Sequence, residues 1–135
     1  MLENIMRILE SALYVTDLAA AETFYNRLLG TTPYRNEAGR HIFYRLDGQV
    51  LLLFNADETI KPSDFSIPAH GAHGQGHVCF SSEPTGIQDW RQRLADLGID
   101  IESDYTWDNG AQSLYFRDPS NNSLEIAEPK LWEFG

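Results

Sequence analysis

Positive charge is scarce in this sequence. Ten Lys and Arg stand against twenty Asp and Glu, a formal net charge of -10, and such a surface repels phosphate backbones and anionic lipid headgroups. Nucleic acid is therefore excluded as an expected partner. Cysteine is scarcer still: Cys79 stands alone, so no intrachain disulfide can form and a reducing compartment is the expectation. No apolar run approaches the roughly 20 residues of a membrane span. Met1-Leu2-Glu3-Asn4 does not open like a secretory signal. No membrane partner is expected, and a cytoplasmic location is.

What remains is an ordinary globular composition. The 135 residues are 42% hydrophobic, enough for one domain or for two small repeats sharing a core. Order along the chain favours the repeats. Met6 to Thr16 alternates as a strand, with Leu9, Leu13 and Val15 on one face and Ile8, Glu10, Ala12 and Tyr14 on the other. Asp17 supplies an N-cap, Ala21, Phe24 and Leu28 form a helical stripe, and Gly30 stops it, so a helix is predicted over 18–29. Extended pieces follow at Thr32 to Tyr34, His41 to Leu46 and Val50 to Phe54, the last two joined by an Asp47-Gly48 turn.

A connector rich in Pro, Gly and Ala runs from Asn55 to Gly76, and then the pattern starts again. His77 to Ser81 is a strand. Thr85 to Gln88 has the capping-box pattern, Ile87, Trp90, Leu94 and Leu97 make a stripe, and Gly98 ends it. Strands follow at Ile99 to Ser103, Ser113 to Phe116 and Ser123 to Ala127. Glu10 lies 20 residues before Gly30, and His77 lies 21 before Gly98. Element order, caps and spacing recur together, which points to a tandem duplication. An α+β fold is expected: one domain over 1–135, made of two tandem βαβββ units at about 5–55 and 76–128, whose curved mixed sheet surrounds a cup-shaped site.

Three polar residues stand on strands that would line such a cup. Glu10, His77 and Glu125 are each followed two residues on by a small side chain, Ala12, Cys79 and Ala127. That leaves room for an ion and a small ligand. Two carboxylates about 4 Å apart would repel by roughly 4 kcal/mol at an effective dielectric of 20, so a cation or a shared proton has to relieve them if the strands converge. The alternative is separate ion pairing of each glutamate with Arg or Lys at the sheet rim. Two carboxylates and an imidazole suit Mn²⁺, Fe²⁺ or Zn²⁺.

The segments Tyr14-Val15-Thr16-Asp17-Leu18, Phe24-Tyr25, Leu28-Leu29-Gly30, Gly76-His77-Val78, Tyr115-Phe116-Arg117-Asp118-Pro119-Ser120 and Leu124-Glu125-Ile126 together resemble the vicinal oxygen chelate superfamily. That group contains glyoxalase I, extradiol dioxygenases, fosfomycin-resistance transferases, methylmalonyl-CoA epimerase and bleomycin-binding proteins. The resemblance implies a divalent metal, Mn, Fe, Zn or Ni, held at Glu10, His77 and Glu125, with Glu10 or Glu125 able to loosen as a base. It also implies a small substrate chelated through adjacent oxygens, with lyase, transferase or ring-cleaving dioxygenase chemistry.

Two departures are visible. The glutamate position of glyoxalase I falls on Leu51 or Leu52, and Glu10 stands where the dioxygenases and fosfomycin transferases usually carry histidine. Tyr115 falls where ring-cleaving members carry a substrate-binding tyrosine, with cross-strand packing as its simpler role. His41, His70 and His73 are expected to be exposed, and Cys79 to be a small buried filler. The resemblance further implies a homodimer. Trp132 and Phe134 are placed to cover a subunit seam, a site mouth or the sheet itself. The rival reading is a metal-free binder of a drug or planar molecule, stacked on Tyr34, Tyr105, Trp107 and Trp132.

Overall fold

The computed structural model describes residues 6–62 and 67–133, and Phe134 lies outside them. The chain divides into two compact units, Met1–Gly74 and Gln75–Gly135.

In the first unit, β1 (Glu10–Tyr14) leads into α1 (Leu18–Leu29), then β2 (Arg35–Glu37), β3 (His41–Leu46), β4 (Gln49–Phe54) and a short α2 (Ala56–Thr59). The sheet runs β1-β4-β3-β2, with β1 parallel to β4 and the other neighbours antiparallel. Local chemistry explains the limits of α1. The Asp17 carboxylate accepts from the Ala20 N–H at 3.0 Å, satisfying a helix-start donor that has no partner within the helix. Gly30 takes φ 69°, a left-handed cap that costs a side-chain-bearing residue strain. The buried stripe of α1 is Ala21, Tyr25 and Leu28, one position round from the Phe24 expected. Tyr25 is buried against Tyr44 of β3, their ring centroids 6.2 Å apart, and the Tyr44 hydroxyl donates to Asn26 Oδ1 at 2.6 Å.

The second unit repeats the plan. β5 (His77–Ser81), α3 (Ile87–Asp96), β6 (Ser103–Thr106), β7 (Gln112–Arg117) and β8 (Ser123–Ala127) form a sheet in the order β5-β8-β7-β6, followed by a 3₁₀ turn at Pro129–Trp132. Again the first and last strands pair in parallel and the others antiparallel. Both units are thus βαβββ and the class is α+β, as expected. Alternation along the strands sends Leu114, Phe116, Leu124 and Ile126, each 0% exposed, to the face on which Ile87 and Leu94 of α3 are buried.

Three expectations shift. The paired part of β1 begins at Glu10, so Leu9 and Ile8 precede the sheet and are 71% exposed each. The edge strands β2 and β6 start later than read. Pro33 has no N–H to give, and the ladder opens with Tyr34 N–H on Phe43 O at 2.8 Å. In the second unit it opens with Glu102 N–H on Tyr115 O at 2.7 Å. The capping box also fails: Gly86 is the N-cap of α3, with φ 107° and no side-chain cap.

Candidate functional site

The site begins with strand parity. Residues facing away from α3 fall into rows set by the register. One row runs Cys79, Glu125, Tyr115 and Ser103; the next runs His77, Ser123 and Arg117. The first unit carries the equivalent rows Ala12, Leu52, Phe43 and Arg35, and Glu10, Val50 and Arg45. Glu10 and His77 are therefore equivalent positions on the first strands of their units. Leu52, not Leu51, is the counterpart of Glu125, because Leu51 shares a row with Ser11 and Tyr44 on the side of α1.

Glu125 is 6% exposed, and burying a carboxylate without partners is expensive. Among the described residues no Lys or Arg lies within salt-bridge distance of it. Its neighbours are instead Ser113, whose hydroxyl donates to Oε2 at 2.6 Å, and His77, whose Nε2 lies 3.3 Å from Oε1. The imidazole has a fixed sense. Nδ1 sits 2.9 Å from the Ser123 carbonyl, and a carbonyl only accepts, so Nδ1 carries a proton. In the neutral ring Nε2 then offers a lone pair toward Oε1, and two lone-pair atoms face each other across the site.

The backbone around His77 is pinned from the β7–β8 turn. Asn122, 0% exposed, accepts from the Gly76 N–H through Oδ1 at 2.6 Å and donates to Asp118 Oδ2 at 2.9 Å. The Ser123 N–H donates to Gly76 O at 2.9 Å. The start of β5 is held against β8 at the residue that carries the imidazole.

Tyr115 lies over the same carboxylate, its ring stacked with that of His77 at 6.4 Å. Burial first, then the charge of Glu125 and a hydrogen bond to it, hold the phenol above its usual range. Cys79 is beside Glu125, but it keeps exposed surface rather than being a buried filler. Desolvation of the sulfur, then the Glu125 charge, push its thiol up to about 12, so it is a neutral thiol at physiological pH.

Glu10 is exposed at the start of β1. Among the described residues no group of three or more His, Cys, Asp or Glu is arranged to hold a metal ion; what the second unit assembles by itself is the His77–Glu125 pair. The other histidines have local partners. His70 Nδ1 is 2.7 Å from the Tyr14 hydroxyl and its ring meets Phe54 edge-on at 4.8 Å. His73 pairs with Asp57 at 3.2 Å. His41 is half-buried rather than exposed, stacked on Phe43 at 4.2 Å, and accepts from Arg40 through Nδ1 at 2.7 Å. Burial, then the Arg40 charge, hold its pKa below the ordinary imidazole value.

The aromatics named for stacking are divided between the two units, Tyr34 in the first and Tyr105, Trp107 and Trp132 in the second. Tyr34 is covered by the guanidinium groups of Arg45 and Arg35 at 4.5 and 5.1 Å, Tyr105 meets Trp107 edge-on at 4.9 Å, and Trp132 is 71% exposed in the 3₁₀ turn. Two residues with a bearing on the site were not singled out in the sequence. One is Ser113. The other is Trp107 as a hydrogen-bond donor, its Nε1–H reaching Ser113 Oγ at 2.8 Å. A serine opening an otherwise apolar strand, Ser113-Leu114-Tyr115-Phe116, is the signal that pointed there.

Among the described residues no helix is long and apolar enough to cross a membrane. Comparison with known proteins places this geometry. Over 113 residues the chain is 26% identical to a metallothiol transferase, FosB, from Bacillus licheniformis, covering 83% of this chain and 68% of that protein. A crystal structure of lactoylglutathione lyase from Agrobacterium tumefaciens superposes with a TM-score of 0.89 at 41% identity, covering 96% of this chain and 98% of that one. An integron cassette protein from the mobile metagenome of V. cholerae gives a TM-score of 0.70 at 25% identity, with 96% and 99% covered. Residues 7–126 match the model of the Glyoxalase/Bleomycin resistance protein/Dioxygenase superfamily, and the chain, with its two βαβββ units, belongs to that vicinal oxygen chelate family.

Proposed function

We propose that this chain is a divalent-metal enzyme that chelates a small substrate through adjacent oxygens and acts as a lyase or transferase. The observation that carries the reading is the His77–Glu125 pair: a buried carboxylate with no Lys or Arg partner among the described residues, whose Oε1 lies 3.3 Å from the imidazole Nε2. The donor chemistry fits a cation. Two ligands on one ion with bonds of roughly 2.0–2.2 Å stand about 3 Å apart, close to the separation between Nε2 and Oε1. We propose Glu10, at the position equivalent to His77, as a third donor although the structure does not group it with the other two, and Mn²⁺, Fe²⁺, Zn²⁺ or Ni²⁺ would suit such a mixed set. When bound, the metal supplies Lewis acidity to the chelated oxygens.

The chain's own residues supply the rest. Glu125 and His77 hold the ion and neutralise part of its charge. Tyr115, kept protonated by burial and by Glu125, presents a phenol donor beside the site for a developing oxyanion. Glu10 is exposed and is the carboxylate freer to loosen and take a proton, whereas Glu125 is held by Ser113. Leu52, the first unit's counterpart of Glu125, has no donor atom to offer a metal. The printed names of the relatives, a lyase and a transferase, favour those classes over ring cleavage, and a homodimer in the cytoplasm is the proposed setting.

Metal analysis of protein purified without chelator tests this. Wild type should retain a divalent ion and His77→Ala should not; equal retention, or none in wild type, rejects the reading. One observation bears on a second reading, a metal-free binder: on the face of the first sheet away from α1, Leu52, Phe43 and Phe54 lie among the charged residues Glu10, Arg35 and Arg45. A planar ligand bound by the chelator-treated protein and recovered intact would support that reading.

A further inference from the structure

We infer that Trp107 and Ser113 form a hydrogen-bond relay that orients the Glu125 carboxylate, so that a single oxygen, Oε1, is presented to a cation. The inference rests on the reading of Glu125 as a ligand and deepens it.

The argument starts from what each group can do. An indole N–H only donates. The Trp107 Nε1–H on Ser113 Oγ at 2.8 Å therefore occupies a hydroxyl lone pair and leaves the serine proton to point elsewhere. It points to Glu125 Oε2 at 2.6 Å, a short contact of the charge-assisted kind. The relay has one direction, indole to hydroxyl to carboxylate. Ser113 is 0% exposed, so water does not compete for it, and swinging the carboxylate away breaks a buried hydrogen bond. With Oε2 engaged, Oε1 is the oxygen that faces His77 Nε2 at 3.3 Å.

The chain spends structure to hold the donor. Trp107 opens the β6–β7 turn, where its carbonyl accepts from the Gly110 N–H at 2.9 Å and its N–H donates to Ala111 O at 2.8 Å. Asn109 accepts from the Ala111 N–H at 3.0 Å and donates to Lys130 O at 2.9 Å. Gly110 takes φ 85° there, a conformation glycine adopts without strain. Tyr105 braces the indole edge-on at 4.9 Å. Trp107 and Ser113 are positioning residues, acting on the ion only through Glu125.

Partners of a ligating side chain typically contribute about 10–100-fold to metal affinity. The test is Mn²⁺ titration of the metal-free full chain, together with the visible spectrum of the Co²⁺-loaded protein, for wild type, Ser113→Ala and Trp107→Phe, with folding followed by circular dichroism. Ser113→Ala should bind Mn²⁺ about 10–100-fold more weakly and shift the Co²⁺ bands as the carboxylate turns. Trp107→Phe should shift both in the same direction by less. Should Ser113→Ala fail to fold, Trp107→Phe decides. Wild-type affinity and spectrum in a folded variant would overturn the relay while leaving Glu125 as a ligand. A wild-type protein that takes up no Mn²⁺ would overturn the ligand reading itself.

Discussion

Replacing Glu125 by Gln should stabilise the metal-free protein while abolishing its response to metal. In the structure the carboxylate is 6% exposed, donates nothing, and sets Oε1 3.3 Å from a His77 Nε2 that bears a lone pair in the neutral ring. The isosteric amide keeps an oxygen for the Ser113 hydroxyl and turns an N–H toward Nε2. A lone-pair repulsion becomes a hydrogen bond, and a buried charge is removed. One neutral hydrogen bond is worth about 1 kcal/mol net, and removing a buried charge that has no Lys or Arg beside it among the described residues acts in the same direction. A gain of about 1 kcal/mol raises Tm by roughly 3–5 °C in a domain of this size.

The assay is thermal unfolding at pH 8, with chelator and then with Mn²⁺. Glu125→Gln should melt higher than wild type with chelator, and only wild type should rise with Mn²⁺, because a ligand that binds only the folded state adds to its stability. A variant that melts below wild type in chelator would refute the argument, since it would mean that His77 and Glu125 form a stabilising ion pair without metal.

Three further outcomes follow from the fold. Phe116→Ala, at a 0% exposed position beneath the second sheet, should cost about 3–5 kcal/mol in denaturant unfolding. Asp17→Ala removes the acceptor for the Ala20 N–H and should cost about 1 kcal/mol, with the helix signal reduced rather than lost. His41, its pKa lowered by burial and by Arg40, should titrate by NMR below the ordinary imidazole value. Because the unfolded chain takes up that proton first, the stability His41 contributes should be intact above about pH 6.5 and lost as the pH falls below it; titration above that value would contradict the geometry.

The elements bounded by strong local chemistry were legible in the sequence. Asp17 and Gly30 fix α1, and Asp47-Gly48 and Gly76 mark where strands begin, so α1, β3, β5 and β8 lie where caps and turns put them. The edge strands were not. β2 and β6 are exposed at every residue, so no apolar alternation marks their start, and only the hydrogen bonds of Tyr34 and Glu102 do. For the site, parity alone put His77 and Glu125 on polar faces of their strands. Whether Leu51 or Leu52 matches Glu125 needed the register of β1, β4 and β3. Ser113 and Trp107 needed more, since a serine and an indole six residues apart reveal a relay only once the β6–β7 turn folds one over the other.

The central claim, that His77 and Glu125 share a cation, is tested most directly by anomalous scattering from crystals of the Mn²⁺-loaded protein, recorded on both sides of the manganese edge. The account predicts a peak bonded to His77 Nε2 and Glu125 Oε1, with Ser113 still donating to Oε2. A peak elsewhere on the chain, or none within bonding distance of those two atoms, would contradict it.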